Sequence, residues 1–121
     1  MALAICGGSR LLKPLVLISS ADADFYLLLD HILEADGFAT VLAGGVEETL
    51  FLAVEKGPQA IILDCQPGTC SGAEICARLK MDPQTFGTIT VALIGPGAES
   101  QYVDLLQAGA DENFVRPMVP S

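Results

Sequence analysis

Asp64 closes the apolar run Ala60–Leu63 and opens the loop "CQPGTCSG", so a carboxylate stands where a buried segment meets solvent. Such a group can act as a nucleophile, ligate a hard cation, or anchor a basic side chain. Three other apolar runs end in residues that can stand beside it: "LVLIS" runs into the hydroxyls of Ser19 and Ser20, "ENFV" is followed by the cation Arg116, and "TITVALIG" ends on Gly95, which offers only backbone. Cys6, Cys65, Cys70 and Cys76 show no C-x-x-C spacing, and His31 is the single histidine, placed mid-helix away from them. Reduced, packed thiols and a structural histidine are expected rather than a metal centre. Cys65, Cys70 and Cys76 bracket the loop after Asp64, which is also where an oxidant sensor would place thiols.

The rest of the chain must bring these groups together. It has 121 residues, 51% of them hydrophobic, enough for one domain with a real core. Fifteen acids against six bases give a net charge of -9, and no segment gathers Lys or Arg into a phosphate-binding stripe, which points away from direct nucleic-acid binding. Its apolar runs fall far short of the roughly 20 residues that span a bilayer. The N-terminal "MALAICGGSRLLKP" has its basic residues after the apolar ones and lacks a signal-peptide cleavage site. A soluble, cytoplasmic protein without a membrane partner is expected, with residues 1–13 as an extension and 14–121 as the domain.

Apolar segments of two kinds alternate. "LVLIS" and "AIILD" are apolar on both faces, as central parallel strands are. Residues 38–43, 88–95 and 112–115 read as further strands. Helices are expected from the Asp22 N-cap to a stop at Gly37, from Val46 to Lys56, from a Ser71/Glu74 capping box to about Met81, and from Glu99 to Ala108, closed by Gly109. Tyr102, Leu105 and Leu106 on the last of these should divide between core and surface. Strand–helix alternation with right-handed crossovers gives an open parallel sheet with helices on both faces. Ser19, Ser20, Asp64, Gly95 and Arg116 then converge on the C-terminal rim, where such sheets bind ligands.

This order, with "IILDCQPGTCSGAEICARLKMDP" and "GADENFVRP", resembles the receiver domain of bacterial two-component response regulators over about residues 14–118. The resemblance implies a flavodoxin-like α/β fold with strand order 2-1-3-4-5. It implies that Asp64 stands at the phosphoacceptor position, phosphorylated from a histidine kinase with magnesium. The departures are specific. Ser19 and Ser20 occupy the acidic-pair positions that hold the metal, and hydroxyls are weak ligands for an ion that wants carboxylate oxygens at about 2.1 Å. Gly95 stands at the family Thr/Ser position, Asn113 at the switch aromatic with Phe114 one place on, and Arg116 at the invariant lysine, where it presents a planar fork. Arg116 is expected to pair bidentately with Asp64 and hold the rim in one conformation.

These departures point to a degenerate, phosphorylation-independent receiver: a protein-interaction or regulatory module, not an enzyme, partnered by a histidine kinase or output domain. No cofactor is expected. Magnesium would bind only if Asp22 or Asp24 replaced the missing pair, and both read better as cap and first-turn acid. The family's closing helix has no counterpart after Arg116, which predicts a bare sheet face and a homodimer or docked partner there. Two other functions stay open. One is a working phosphoacceptor catalysing its own phosphorylation at Asp64. The other is a nucleotide or second-messenger binder using Arg116, Gln101 and the 95–97 turn, although that turn reads more simply as loop punctuation.

Overall fold

The computed structural model describes residues 13–65, 72–96 and 100–116. The elements run β1 (Leu15–Ser19), α1 (Ala23–Ala35), β2 (Ala39–Ala43), α2 (Val46–Lys56), β3 (Ala60–Cys65), α3 (Gly72–Met81), β4 (Ile89–Ile94), α4 (Gln101–Ala108) and β5 (Glu112–Val115). All five strands pair in parallel in the order β2-β1-β3-β4-β5. The expected order and fold are therefore observed, with element ends within two residues of those read from the sequence. Ser71, the expected cap of α3, lies outside the described residues. None of the described helices is long and apolar enough to cross a membrane.

The side-chain period of two sorts each strand between the faces. Leu17, Ile61, Leu63, Cys65, Ala92 and Ile94 point to one face and form the core with Ala53 of α2, Ile75, Cys76 and Leu79 of α3, and Leu105 of α4. Val16 and Ile18, buried on the other face, lie on the side of Phe25 in α1. Leu105 is buried while Tyr102 and Leu106 are exposed, the division expected for α4; His31 is exposed, and Cys65 and Cys76 are buried.

Local chemistry sets the element ends. The Asp22 side chain accepts from the Phe25 N–H at 3.1 Å, the N-cap bond of α1. Gly45 caps α2, and Glu48 reaches back to accept from the Gly44 N–H at 2.6 Å. The "GAD" segment proves to be architectural. Gly109 ends α4 at φ 112°, a left-handed conformation that disfavours side chains, and a Cβ there would meet Lys80 Cγ at 2.6 Å. Asp111 then accepts from the Thr90 N–H at 2.7 Å and faces the Lys80 ammonium at 3.4 Å, tying α3, β4 and β5 together at the bottom of the sheet.

Candidate functional site

β1 and β3 are adjacent, so their C-terminal ends bring Ser20 and Asp64 to the same rim on the same face. Ser20 donates its hydroxyl to Asp64 Oδ2 at 2.7 Å and accepts from the Asp22 N–H at 3.0 Å, bridging the acid to the start of α1. Ser19 points the other way. Thr49 donates to the Gly45 carbonyl at 2.6 Å, so the 2.8 Å contact between the two hydroxyls is a donation from Ser19 to Thr49. Of the two serines at the acidic-pair positions, only Ser20 reaches Asp64. Strand alternation already contained that distinction, since successive residues of "LVLISS" must face opposite sides.

Arg116 is the hub of the rim. Its backbone N–H donates to the Ile94 carbonyl at 2.6 Å, extending the β4–β5 ladder and fixing where the side chain begins. The guanidinium donates from Nη2 to Asp22 Oδ2 at 2.6 Å, places Nε 3.7 Å from Asp64 Oδ1, and lies 3.9 Å from the centre of the Phe25 ring. The expected Arg116–Asp64 pairing is thus present as an ion pair beyond hydrogen-bond reach, and it is not bidentate; the short bond goes to Asp22. The cause is geometric. Phe25 supplies a flat surface that orients the guanidinium plane, and capping α1 holds Asp22 in line with its outer nitrogen.

Asp22 therefore does two jobs: Oδ1 caps the helix and Oδ2 receives Arg116. The Arg116 hydrogen bond holds its carboxyl below the ordinary carboxylate range, aided by the Phe25 N–H. The Asp64 side chain is 0% exposed. Asp64 nevertheless lines a small cleft of about 120 Å³, together with Ser19, Ser20, Gly45, Cys65 and Gly72 among others.

Gly95 is buried at the end of β4, and Gly97 lies outside the described residues. Asn113 is paired in register with Ala92 and is 7% exposed, and neither amide atom has a hydrogen-bond partner among the described residues; Phe114 faces the other side, 55% exposed. Gln101 carries its side-chain oxygen buried without a partner among the described residues. Asp24 is exposed on the first turn of α1, away from the rim bonds. The sequence reading missed Phe25 as the platform for Arg116 and Thr49 as the acceptor for Ser19.

Magnesium fits these residues poorly. Among the described residues no group of three His, Cys, Asp or Glu side chains could hold a metal. Asp64 Oδ2 already accepts from Ser20, Oδ1 faces a guanidinium, and the Asp22 carboxylate is bound to the same guanidinium. An octahedral ion would have to displace a fixed cation and would find a neutral hydroxyl in place of a second acid.

A parallel five-stranded sheet in this order, with an aspartate and a basic residue on the rim, is the architecture of receiver domains, and comparisons with known proteins agree. No family model matches the chain. The phosphate regulon transcriptional regulatory protein PhoB of Rhizobium meliloti is 34% identical over 106 residues, covering 86% of this chain and 46% of that protein. Its namesake from Pseudomonas aeruginosa is 30% identical over 106 residues, covering 87% and 46%. The chain spans about half the length of the curated relatives it matches. A response regulator structure from Chloroflexus aurantiacus superposes with a TM-score of 0.78 at 25% identity, covering 90% of this chain and 89% of that one. The receiver domain of a Pseudomonas aeruginosa sensor histidine kinase, described with magnesium in its active site cleft, has a TM-score of 0.78 at 16% identity, covering 89% and 88%. The chain is a receiver domain of the response-regulator class.

Proposed function

We propose that this receiver works without phosphorylation, as an interaction module of two-component signalling whose rim is held by Arg116 instead of by a phosphate and a metal. The observation that carries this reading is the 2.6 Å Arg116–Asp22 bond beside the Ser20–Asp64 bond. Phosphoryl transfer depends on positioning and on neutralising the negative charge that accumulates between acceptor and phosphate. The divalent ion supplies most of that neutralisation, and these residues do not favour one. A nucleophile must also present an oxygen to its donor, whereas Asp64 Oδ2 accepts from the Ser20 hydroxyl and Oδ1 faces the Arg116 guanidinium. Gly95 has no hydroxyl with which to follow an arriving phosphate, and Asn113 has no ring to move.

Partners on this reading are the protein classes that handle receivers: a histidine kinase upstream or an output domain downstream. The PhoB relatives are named as transcriptional regulatory proteins, and we place the chain in a comparable regulatory setting. Its own surface, at -9, has no basic stripe for DNA.

A working phosphoacceptor is the rival reading, favoured by Asp64 ending β3 with a basic side chain 3.7 Å away. Incubation with acetyl phosphate and magnesium, followed by intact-mass measurement, separates the two. The proposal expects an unchanged mass. A phosphate adduct that disappears in Asp64→Asn would overturn it.

A further inference from the structure

On the sheet face opposite α1, helices α2 and α3 lie side by side, and a groove of about 100 Å³ opens between them. Leu50 and Val54, one turn apart on α2, make one wall, and Arg78 and Asp82 at the end of α3 make the other. Leu79 and Thr85, both buried, are the floor. That floor is fixed by the chain itself. The Thr85 hydroxyl donates to the Leu79 carbonyl at 2.7 Å, and the Thr85 N–H donates to the Asp82 carbonyl at 3.0 Å, so the groove is formed before anything enters it. Its rim is more apolar than the core requires. Ala53 turns the inner side of α2 to the sheet, whereas Phe51, on the side of Val54, is 64% exposed and Met81, beside Arg78 and Asp82, is 81% exposed.

The charge along the groove is uneven. Arg78 is committed, donating to Glu47 at 3.0 Å and standing 3.6 Å from Glu74. Asp82 is not balanced in the same way. Its Oδ1 accepts from the Gln84 N–H at 2.9 Å, but no cation pairs with it among the described residues. It also follows the last residue of α3, where the helix carbonyls already present negative partial charge. That end of the groove therefore favours a cation. A second copy of the chain would instead bring the same acid and another net charge of -9 against it.

We infer that the α2–α3 groove is a docking site for a short helix of a partner protein that inserts one aliphatic side chain between Val54 and Leu79 and sets a Lys or Arg against Asp82. Asp82 lies three residues beyond Leu79, a rise of about 4.5 Å along the helix, so a partner helix supplies the two groups one turn apart. This names the partner surface of the interaction module proposed above and rests on that reading. A phosphate adduct on Asp64 would overturn the module's phosphate independence and leave the groove untouched, so the two can fail separately.

The test titrates the isotope-labelled full chain with two synthetic helical peptides sharing one leucine stripe, one filled with lysine and the other with glutamate, and follows amide shifts by NMR. The lysine peptide is expected to shift Val54, Leu79 and Asp82 saturably, and Leu27→Ser on α1 should bind it as wild type does. Val54→Ser should weaken binding about tenfold. Asp82→Asn, which keeps an acceptor for the Gln84 N–H, should weaken it about threefold or more, and high salt should remove that difference. The glutamate peptide should bind about tenfold more weakly or worse. Circular dichroism confirms that each variant is folded. Absence of a saturable shift, equal binding of both peptides, shifts gathered away from the groove, or binding unaffected by Val54→Ser and Asp82→Asn would overturn the proposal. So would concentration-dependent shifts of the same amides in the free chain, or nuclear Overhauser contacts from residues 1–12 to Val54, because a second copy or the chain itself would then fill the groove.

Discussion

Arg116 and Asp22 stand 94 positions apart in the sequence and meet at 2.6 Å, and that meeting organises the rim. Removing the guanidinium takes away the cation 3.7 Å from the Asp64 carboxylate and bares the Phe25 ring. Arg116→Ala should therefore cost about 2–3 kcal/mol in urea denaturation. Arg116→Lys should fall between, because an ammonium keeps the charge and loses the fork and the stack. A lysine variant as stable as wild type would contradict the stacked geometry. The same bond predicts a pH dependence. Native Asp22 titrates below its unfolded value, so the native state binds fewer protons between the two. Its contribution is complete above about pH 4 and is lost as pH falls through the native value. Partial exposure keeps it modest, and Arg116→Ala should show a shallower acid limb in thermal melts. Asn113 predicts the opposite sign of change. Its amide is buried with no partner among the described residues, so Asn113→Leu should stabilise the fold by about 1–2 kcal/mol, and a loss of stability would show that the amide is satisfied in solution.

At the scale of elements, the sequence was highly legible. Strands apolar on both faces, the Asp22 cap and the Gly37, Gly57 and Gly109 stops each report a local backbone requirement, and all fall where expected within two residues. The rim residues were legible as a set for the same reason: each follows a parallel strand. Their partners were not. Which acid receives Arg116 depends on Phe25 lying beneath the guanidinium, and which hydroxyl reaches Asp64 depends on the face each serine takes. Periodicity decides the second, and only tertiary packing decides the first. The α4 stop gives a direct test of local reasoning. Gly109→Ala must strain a left-handed backbone and push Lys80 aside, so it should cost about 1–2 kcal/mol and more than Gly57→Ala, where nothing lies within 4 Å of the added carbon. Equal costs would mean that Lys80 moves freely and that its contact with Asp111 contributes little.

Across the whole molecule, charge is lopsided. A net charge of -9 on 121 residues opposes compaction, and salt screens that repulsion more than it weakens the few exposed ion pairs. The melting temperature should rise as NaCl is raised from low to physiological ionic strength, and a fall would show that the pairs around Arg78 and Lys80 outweigh the repulsion. On the proposed reading, a rim held by its own arginine changes its surface without a phosphate, and constitutive binding is its means of signalling. Magnesium titration followed by NMR at Ser20, Asp22, Asp64 and the Arg116 Nε–H tests that central claim most directly. The account predicts no saturable shift through millimolar magnesium; a saturable shift at these residues, with release of the Arg116 guanidinium from Asp22, would contradict it.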